Sequence, residues 1–284
     1  MHMRVKKVIN NNLLCTVDEK GHELIVSGKG IGFKRKIGEH VDPSTIEKTY
    51  RMEDQTAQRR LRELVEQIPT EYLDLTQELI DHIKTKITQP LNESLIITLA
   101  DHISFAIQRK AQGIEFENPL TGSIMCYYPT EYHLGQYCLQ VIEQEFHVQL
   151  HPDEAAFISL HIVNAELNTN MNEMNEMTKL LDGCVRVTEF YYHTSFDRQS
   201  LDFSRFIVHL RYLVQRLYQK KSLEDQTDPQ DVLFRQLIQR NCKEHYECSC
   251  RIASYIEANY DMKISEEEKM YLTIHLKRLN MQDD

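Results

Sequence analysis

The chain has 284 residues, 41% of them hydrophobic and 27% charged, which fits an ordinary globular protein and excludes a disordered or fibrous one. At roughly 100 to 200 residues per domain the length suggests two or three domains, and three is the expected count. Seven irregularly spaced cysteines argue against a disulfide framework, and no run approaches the length of a membrane span, so a reducing, cytoplasmic location is expected.

The net charge of −10 is unevenly spread. Residues 1–50 hold nine basic and six acidic side chains, a balance of +3, which leaves −13 for residues 51–284. A small basic module therefore precedes a large acidic one. The opening Met1-His2 reads as a cloning remnant, because Met3 starts a sensible strand by itself.

The basic module reads as β-structure. Arg4 to Ile9, Leu13 to Val17 and Glu23 to Ser27 alternate or are β-rich, and turn formers separate them, with Asp18-Glu-Lys-Gly21 as a hairpin turn. Gly28, Gly30 and Gly32 fall at alternate positions, where a strand can bend sharply or another molecule can approach the backbone. So small a sheet buries too little apolar surface to stand alone, and it is expected to dimerise.

From about Gln55 the apolar spacing becomes helical. Leu61, Leu64, Val65 and Ile68 precede Pro69 and predict a linker helix. Helices are then expected over Tyr72 to Ile87, Leu95 to Gln112, Leu134 to Phe146 and Asp153 to Leu167. The helical region is also a duplication. Asp153 to Ile162 aligns with Glu267 to Leu276 at an offset of 114, and Asp101-His-Ile103 with Val208-His-Leu210 at an offset of 107. The boundary between the halves is expected in the polar, methionine-rich Asn168 to Thr178, read as having little to bury on one face.

The duplication singles out His102, His161, His209 and His275, which interrupt apolar helical faces where a hydrophobic residue would pack better. Any one histidine is ordinarily a hydrogen-bonded core or surface side chain; four at duplicated positions suggest a shared task. A neutral imidazole is a good nucleophile toward phosphorus, and a phosphoryl group placed there can remodel an interface. Metal ligation is the rival, but no acidic or cysteine partner recurs at fixed spacing beside all four. Cys242, His245, Cys248 and Cys250 invite a zinc reading, yet Leu237 to Ile256 reads as one continuous helix on which they do not converge, so packing cysteines are preferred and no metal or cofactor is expected. Phosphate-loop, dinucleotide, nucleophile-elbow and zinc-protease motifs are all lacking, so an enzyme is not expected.

In the basic module, Lys6, Lys7, the asparagines at 10–12, Lys29 among glycines, Phe33 and Lys34-Arg-Lys36 suit nucleic acid. Lysines neutralise phosphates, asparagines reach base edges or the 2′-hydroxyl, and an exposed Phe offers a stacking face. The plainer alternative is a solvated basic sheet with a core Phe.

Lys6-Lys-Val-Ile-Asn-Asn-Asn12, Gly28-Lys-Gly-Ile-Gly-Phe33 and Ile46-Glu-Lys48 resemble the RNA-binding domain of the BglG/SacY/LicT antiterminators. Asp101 to Ile107 with Arg109 and Asn118-Pro119, Leu160 to Ala165, Phe206 to Leu210 and Leu272 to Leu276 resemble that family's two phosphotransferase regulation domains, so the likeness covers essentially the whole chain. Lys29 stands where an Arg is common, and the loop after Thr121 and the cysteine-rich helix look unusual.

The resemblance implies a small antiparallel β-sheet RNA-binding domain (residues 1–57), a linker helix (58–68) and two all-α helical-bundle domains (69–171 and 172–284). It implies a non-enzymatic antiterminator that binds, as a homodimer, a leader-RNA hairpin overlapping a terminator and so lets transcription continue into sugar-uptake genes, most simply for β-glucosides, with sucrose second. Lys7, Asn10, Asn12, Gly28, Lys29, Gly30 and Phe33 become the expected RNA contacts. His102, His161, His209 and His275 become the expected phosphorylation sites, with Asp101 orienting His102 or repelling its phosphate. The second helical domain is expected to take phosphate from HPr and activate, the first from a sugar-specific enzyme II and inactivate. A DNA-binding activator with the same regulatory domains is the alternative, but it would normally begin with a helix-turn-helix pattern, and residues 3–51 are strand-rich. A metal-dependent helical enzyme using the histidines is the other.

Overall fold

A computed structural model describes residues 3–9, 13–17, 21, 23–28, 30–46, 48–50, 68–221 and 228–280. Five strands form one antiparallel sheet: β1 (Met3–Val8), β2 (Leu13–Val17), β3 (Glu23–Ser27), β4 (His40–Val41) and β5 (Lys48–Tyr50), in the order β4-β1-β2-β3-β5. The alternation seen in the sequence sends Met3, Val5, Leu14, Leu24, Val26 and Val41 into one small core, closed by Ile31. Ile25, pointing to the opposite face, joins the core of the first helical domain. The glycine run is a chain of tight turns, with backbone bonds from Ile31 N to Gly28 O, Phe33 N to Gly30 O and Arg35 N to Gly32 O. Gly30 needs its missing side chain there, because its φ is +69°. Val5 then clamps the end of the loop through Gly38 N to Val5 O (2.7 Å) and Val5 N to Glu39 O (2.9 Å).

Ten helices follow among the described residues: α1 (Thr70–Lys84), α2 (Leu95–Ala111), α3 (Thr121–Tyr127), α4 (Pro129–Phe146), α5 (Glu154–Leu167), α6 (Met171–Tyr192), α7 (Leu201–Tyr218), α8 (Pro229–Asn241), α9 (Lys243–Tyr260) and α10 (Glu266–Asn280). The duplication is visible in their limits: α4 and α9 each have 18 residues and are offset by 114. The chain divides into two compact units, Met1–Asn118 with Glu131–Asn168, and Pro119–Thr130 with Thr169–Asp284. Thus α3, taken from between the first unit's helices, packs in the second, where Ser123 and Tyr127 donate to Asp182 and Arg211 donates to the Tyr127 carbonyl.

Three expectations are corrected. The methionine-rich segment is the start of α6, capped by Asn170 accepting from Glu173 N, and it buries Met174, Met177 and Thr178; methionines filled a core face that was read as having little to bury. The segment after Thr121 is a helix. Leu237 to Ile256 is broken at Cys242, whose backbone leaves the helical region (φ −125°, ψ 41°) and separates α8 from α9. Of the linker helix only Ile68 lies within the described residues, and it is buried in the first helical core.

The helices cross closely where the sequence supplies a small residue. A Cβ on Gly135 of α4 would stand 2.2 Å from the Ala155 carbonyl oxygen of α5. At the matching place in the second unit, Ser249 of α9 and Thr273 of α10 share a buried hydroxyl contact of 3.2 Å. These crossings hold α5 and α10, the carriers of His161 and His275, tightly in place.

Candidate functional site

The fold brings the four histidines together as two pairs. His102 of α2 and His161 of α5 have ring centroids 5.0 Å apart; His209 of α7 and His275 of α10 stack at 3.5 Å. In each pair the residue on the later helix is buried, at 8% exposure, and its partner is half-buried. Burial, reinforced by the neighbouring imidazole, pushes His161 down to about 3 and His275 down to about 4 from 6.5. Burial first, then Arg216 and Arg278, lowers His209 as well. His161, His209 and His275 are thus neutral at physiological pH, as a nitrogen nucleophile must be.

Charged side chains beside the rings complete each site. Glu154, at the start of α5, holds Arg109 at 2.8 Å through Oε1 and lies 2.9 Å from His102 Nε2 through Oε2. That contact does not have hydrogen-bond geometry, so the carboxylate sits against the ring without a directed bond to it. In the second unit Glu268 receives both Nε and Nη2 of Arg216, at 2.8 and 2.7 Å. Around this pair lies a cavity of about 340 Å³ lined by His209, Tyr212, Arg216, Glu268, Tyr271 and His275, with two leucines. Asp101 is exposed, and the carboxylate facing the His102 ring is that of Glu154. Sequence reasoning passed over Glu154, Arg216 and Glu268. The signal was present, because the offsets of 107 and 114 that align the histidines also align Arg109 with Arg216 and Glu154 with Glu268.

Of the expected RNA contacts, Lys7 is exposed on β1, Gly28 is buried and Gly30 is exposed. Phe33 is 60% exposed, with the Lys34 ammonium 5.2 Å from its ring centroid. That places an uncovered aromatic face beside a cation. Asn10, Asn12 and Lys29 lie outside the described residues.

The cysteine cluster does not gather. His245 Nδ1 bonds the Tyr192 hydroxyl at 2.7 Å, and burial raises the Cys248 thiol to about 12. Among the described residues no group of three or more His, Cys, Asp or Glu could hold a metal ion, and no helix is long and apolar enough to cross a membrane.

A family model described as CAT RNA binding domain matches residues 3–59, and one described as PRD domain matches residues 77–165 and 183–279. The chain is 35% identical to Transcription antiterminator LicT of Bacillus subtilis (strain 168), over 98% of this chain and 99% of that protein. It is 31% identical to Beta-glucoside operon antiterminator of Dickeya chrysanthemi, over 98% and 96% respectively. A crystal structure of GlcT CAT-PRDI covers 58% of this chain and 99% of its own, with 32% identity and a TM-score of 0.49. An RNA-binding sheet followed by two helical domains, each with a paired-histidine site, together with full-length relatives above 30% identity, places this chain in the family of transcription antiterminators built from a CAT RNA binding domain and PRD domains.

Proposed function

We propose that this antiterminator acts in the cytoplasm as a homodimer, binding an RNA hairpin in a leader transcript through Lys7, Asn10, Asn12, Gly28, Lys29, Gly30 and Phe33, and that phosphorylation of its histidines by the sugar phosphotransferase system governs that binding. It catalyses no reaction of its own. HPr charges His209 and His275 and activates the protein; a sugar-specific enzyme II charges His102 and His161 when its sugar is absent and inactivates it. The genes served are those for β-glucoside use, a reading supported by the likeness to the Beta-glucoside operon antiterminator of Dickeya chrysanthemi. The observation that carries this control scheme is the recurrence of a buried and a half-buried imidazole, in ring contact, in both helical units.

A doubly charged phosphoryl group cannot stay in a packed apolar contact without compensation, so each event shifts an interface between two arrangements. In a terminator-reporter assay His102→Ala gives antitermination without inducer, and His209→Asp, a crude mimic of negative charge, strengthens self-association in sedimentation. Full inducer dependence of His102→Ala, or dissociation of His209→Asp, overturns the assignment of roles.

A further inference from the structure

The duplication that carries the histidines also carries the Arg–Glu pair, and the two copies differ in how far they are satisfied. In the second unit Arg216 uses two nitrogens on the two oxygens of Glu268. In the first, Arg109 and Glu154 are 7% and 4% exposed and share a single 2.8 Å bond. Arg109 Nε and Nη1, Glu154 Oε2 and His161 Nδ1 are buried there with no hydrogen-bond partner among the described residues. Phe105 and Phe116 pack on the guanidinium, with its carbon 5.0 and 4.3 Å from their ring centroids, and help to screen it from water. Unpaired buried donors are costly, and the two on Arg109 suit an oxyanion better than Glu154 alone satisfies them.

We infer that Arg109 and Glu154 form an exchangeable counter-ion pair for His102: Glu154 neutralises Arg109 while the ring is bare, and Arg109 passes its donors to the phosphoryl oxygens once the ring carries them. This rests on the reading of His102 as a phosphate acceptor. An unprotonated ring nitrogen of His102 gives its lone pair to phosphorus as the phosphorus–nitrogen bond of an N-phosphoryl donor breaks. The bonding pair leaves with the donor nitrogen, which takes up the proton that the His102 ring gives up. A guanidinium fork suits the resulting phosphoryl oxygens: Nε and Nη1 are unpaired already, and Nη2, which forms a fork with either of them, is released when Glu154 lets go. Glu154 then faces a dianion at close range and is the group repelled. Because Glu154 opens α5 and His102 lies on α2, the exchange converts a local charge into a strain between those two helices.

The test charges the full-length chain with potassium phosphoramidate, a small phosphorus–nitrogen donor that releases ammonia, and follows loss of phosphate at each histidine by fragmentation mass spectrometry. Glu154→Gln keeps an acceptor for Arg109 but removes the competing charge. Phosphate on His102 is then lost about tenfold more slowly than in the wild type, since unit charges about 4 Å apart interact by several kcal/mol at the effective dielectric of a protein site. Loss from His209 is unchanged, and Arg109→Gln added to Glu154→Gln restores rapid loss. If Glu154→Gln folds poorly, as circular dichroism reports, Arg109→Lys serves instead: it keeps the charge, lacks the fork, and shortens the lifetime at His102 alone. Equal lifetimes at His102 in wild type and variants, or parallel changes at His102 and His209, overturn the inference while leaving His102 an acceptor. Absence of phosphate from His102 in every protein, with His209 charged, overturns the acceptor reading and the inference with it.

Discussion

Acid should weaken the first helical domain through His161, and by an amount the structure sets. The ring is 8% exposed, faces His102, has no partner for Nδ1 among the described residues, and is held down to about 3 from 6.5. The folded chain therefore binds fewer protons than the unfolded chain between those two values. Stability is fully present above about pH 6.5 and is lost as pH falls toward 3. At roughly 1.4 kcal/mol per pH unit, lowering the pH from 7.5 to 5 removes about 2 kcal/mol through this one ring. For a domain of about 100 residues that shifts the melting temperature by about 10 °C. Calorimetry of the full chain across this range, compared with His161→Asn, isolates the contribution: the variant's first domain loses that part of its acid sensitivity, while the second domain, where His275 sits near 4, keeps its own. Identical pH slopes in the two proteins would refute the buried neutral imidazole.

Two further variants test the helix crossing and the RNA face. Gly135→Ala drives a Cβ to 2.2 Å from the Ala155 carbonyl, and it lowers stability by about 1–3 kcal/mol in urea unfolding; an unchanged midpoint would mean α4 and α5 do not approach so closely. Phe33→Ala weakens binding of a leader hairpin by about 1–3 kcal/mol if the exposed ring stacks on a base, whereas Lys34→Ala reduces the slope of log affinity against log salt by about one. Fluorescence anisotropy titrations at three salt concentrations separate the two, and unaltered affinity in both variants removes this face from the RNA site.

The strands and the duplication were legible because each rests on a local rule. Alternating or β-rich runs bounded by turn formers, as in Arg4 to Ile9 and Glu23 to Ser27, mark the strands directly, and the paired offsets name the histidines without any structure. What could not be read depended on tertiary context. The start of α6 looked polar because methionine and threonine are weak hydrophobic signals, yet Met174, Met177 and Thr178 are fully buried once α6 packs in the second unit. The break at Cys242 has no glycine or proline to announce it. Asp101 drew attention as the neighbour of His102 in sequence, but successive residues on a helix point about 100° apart, and the carboxylate that reaches the ring comes from α5.

The Arg216–Glu268 pair offers a last test, which separates stability from function. Glu268 is 1% exposed as a side chain and both of its oxygens are taken by Arg216, which is 28% exposed. Arg216→Gln removes both of these bonds from a carboxylate that is almost fully buried, and breaking a buried pair from one side costs about 3 kcal/mol. Arg216→Gln with Glu268→Gln removes both charges and leaves two amides of similar volume, so most of that loss returns, as the non-additivity of contacting residues requires. The assay is urea unfolding of wild type, both single variants and the double. A double variant as unstable as Arg216→Gln would mean the ion pair itself holds α7 to α10. Recovery in the double would mean the charges add little net stability at this crossing, leaving their placement at the histidine offsets to be accounted for by the electrostatics of the site.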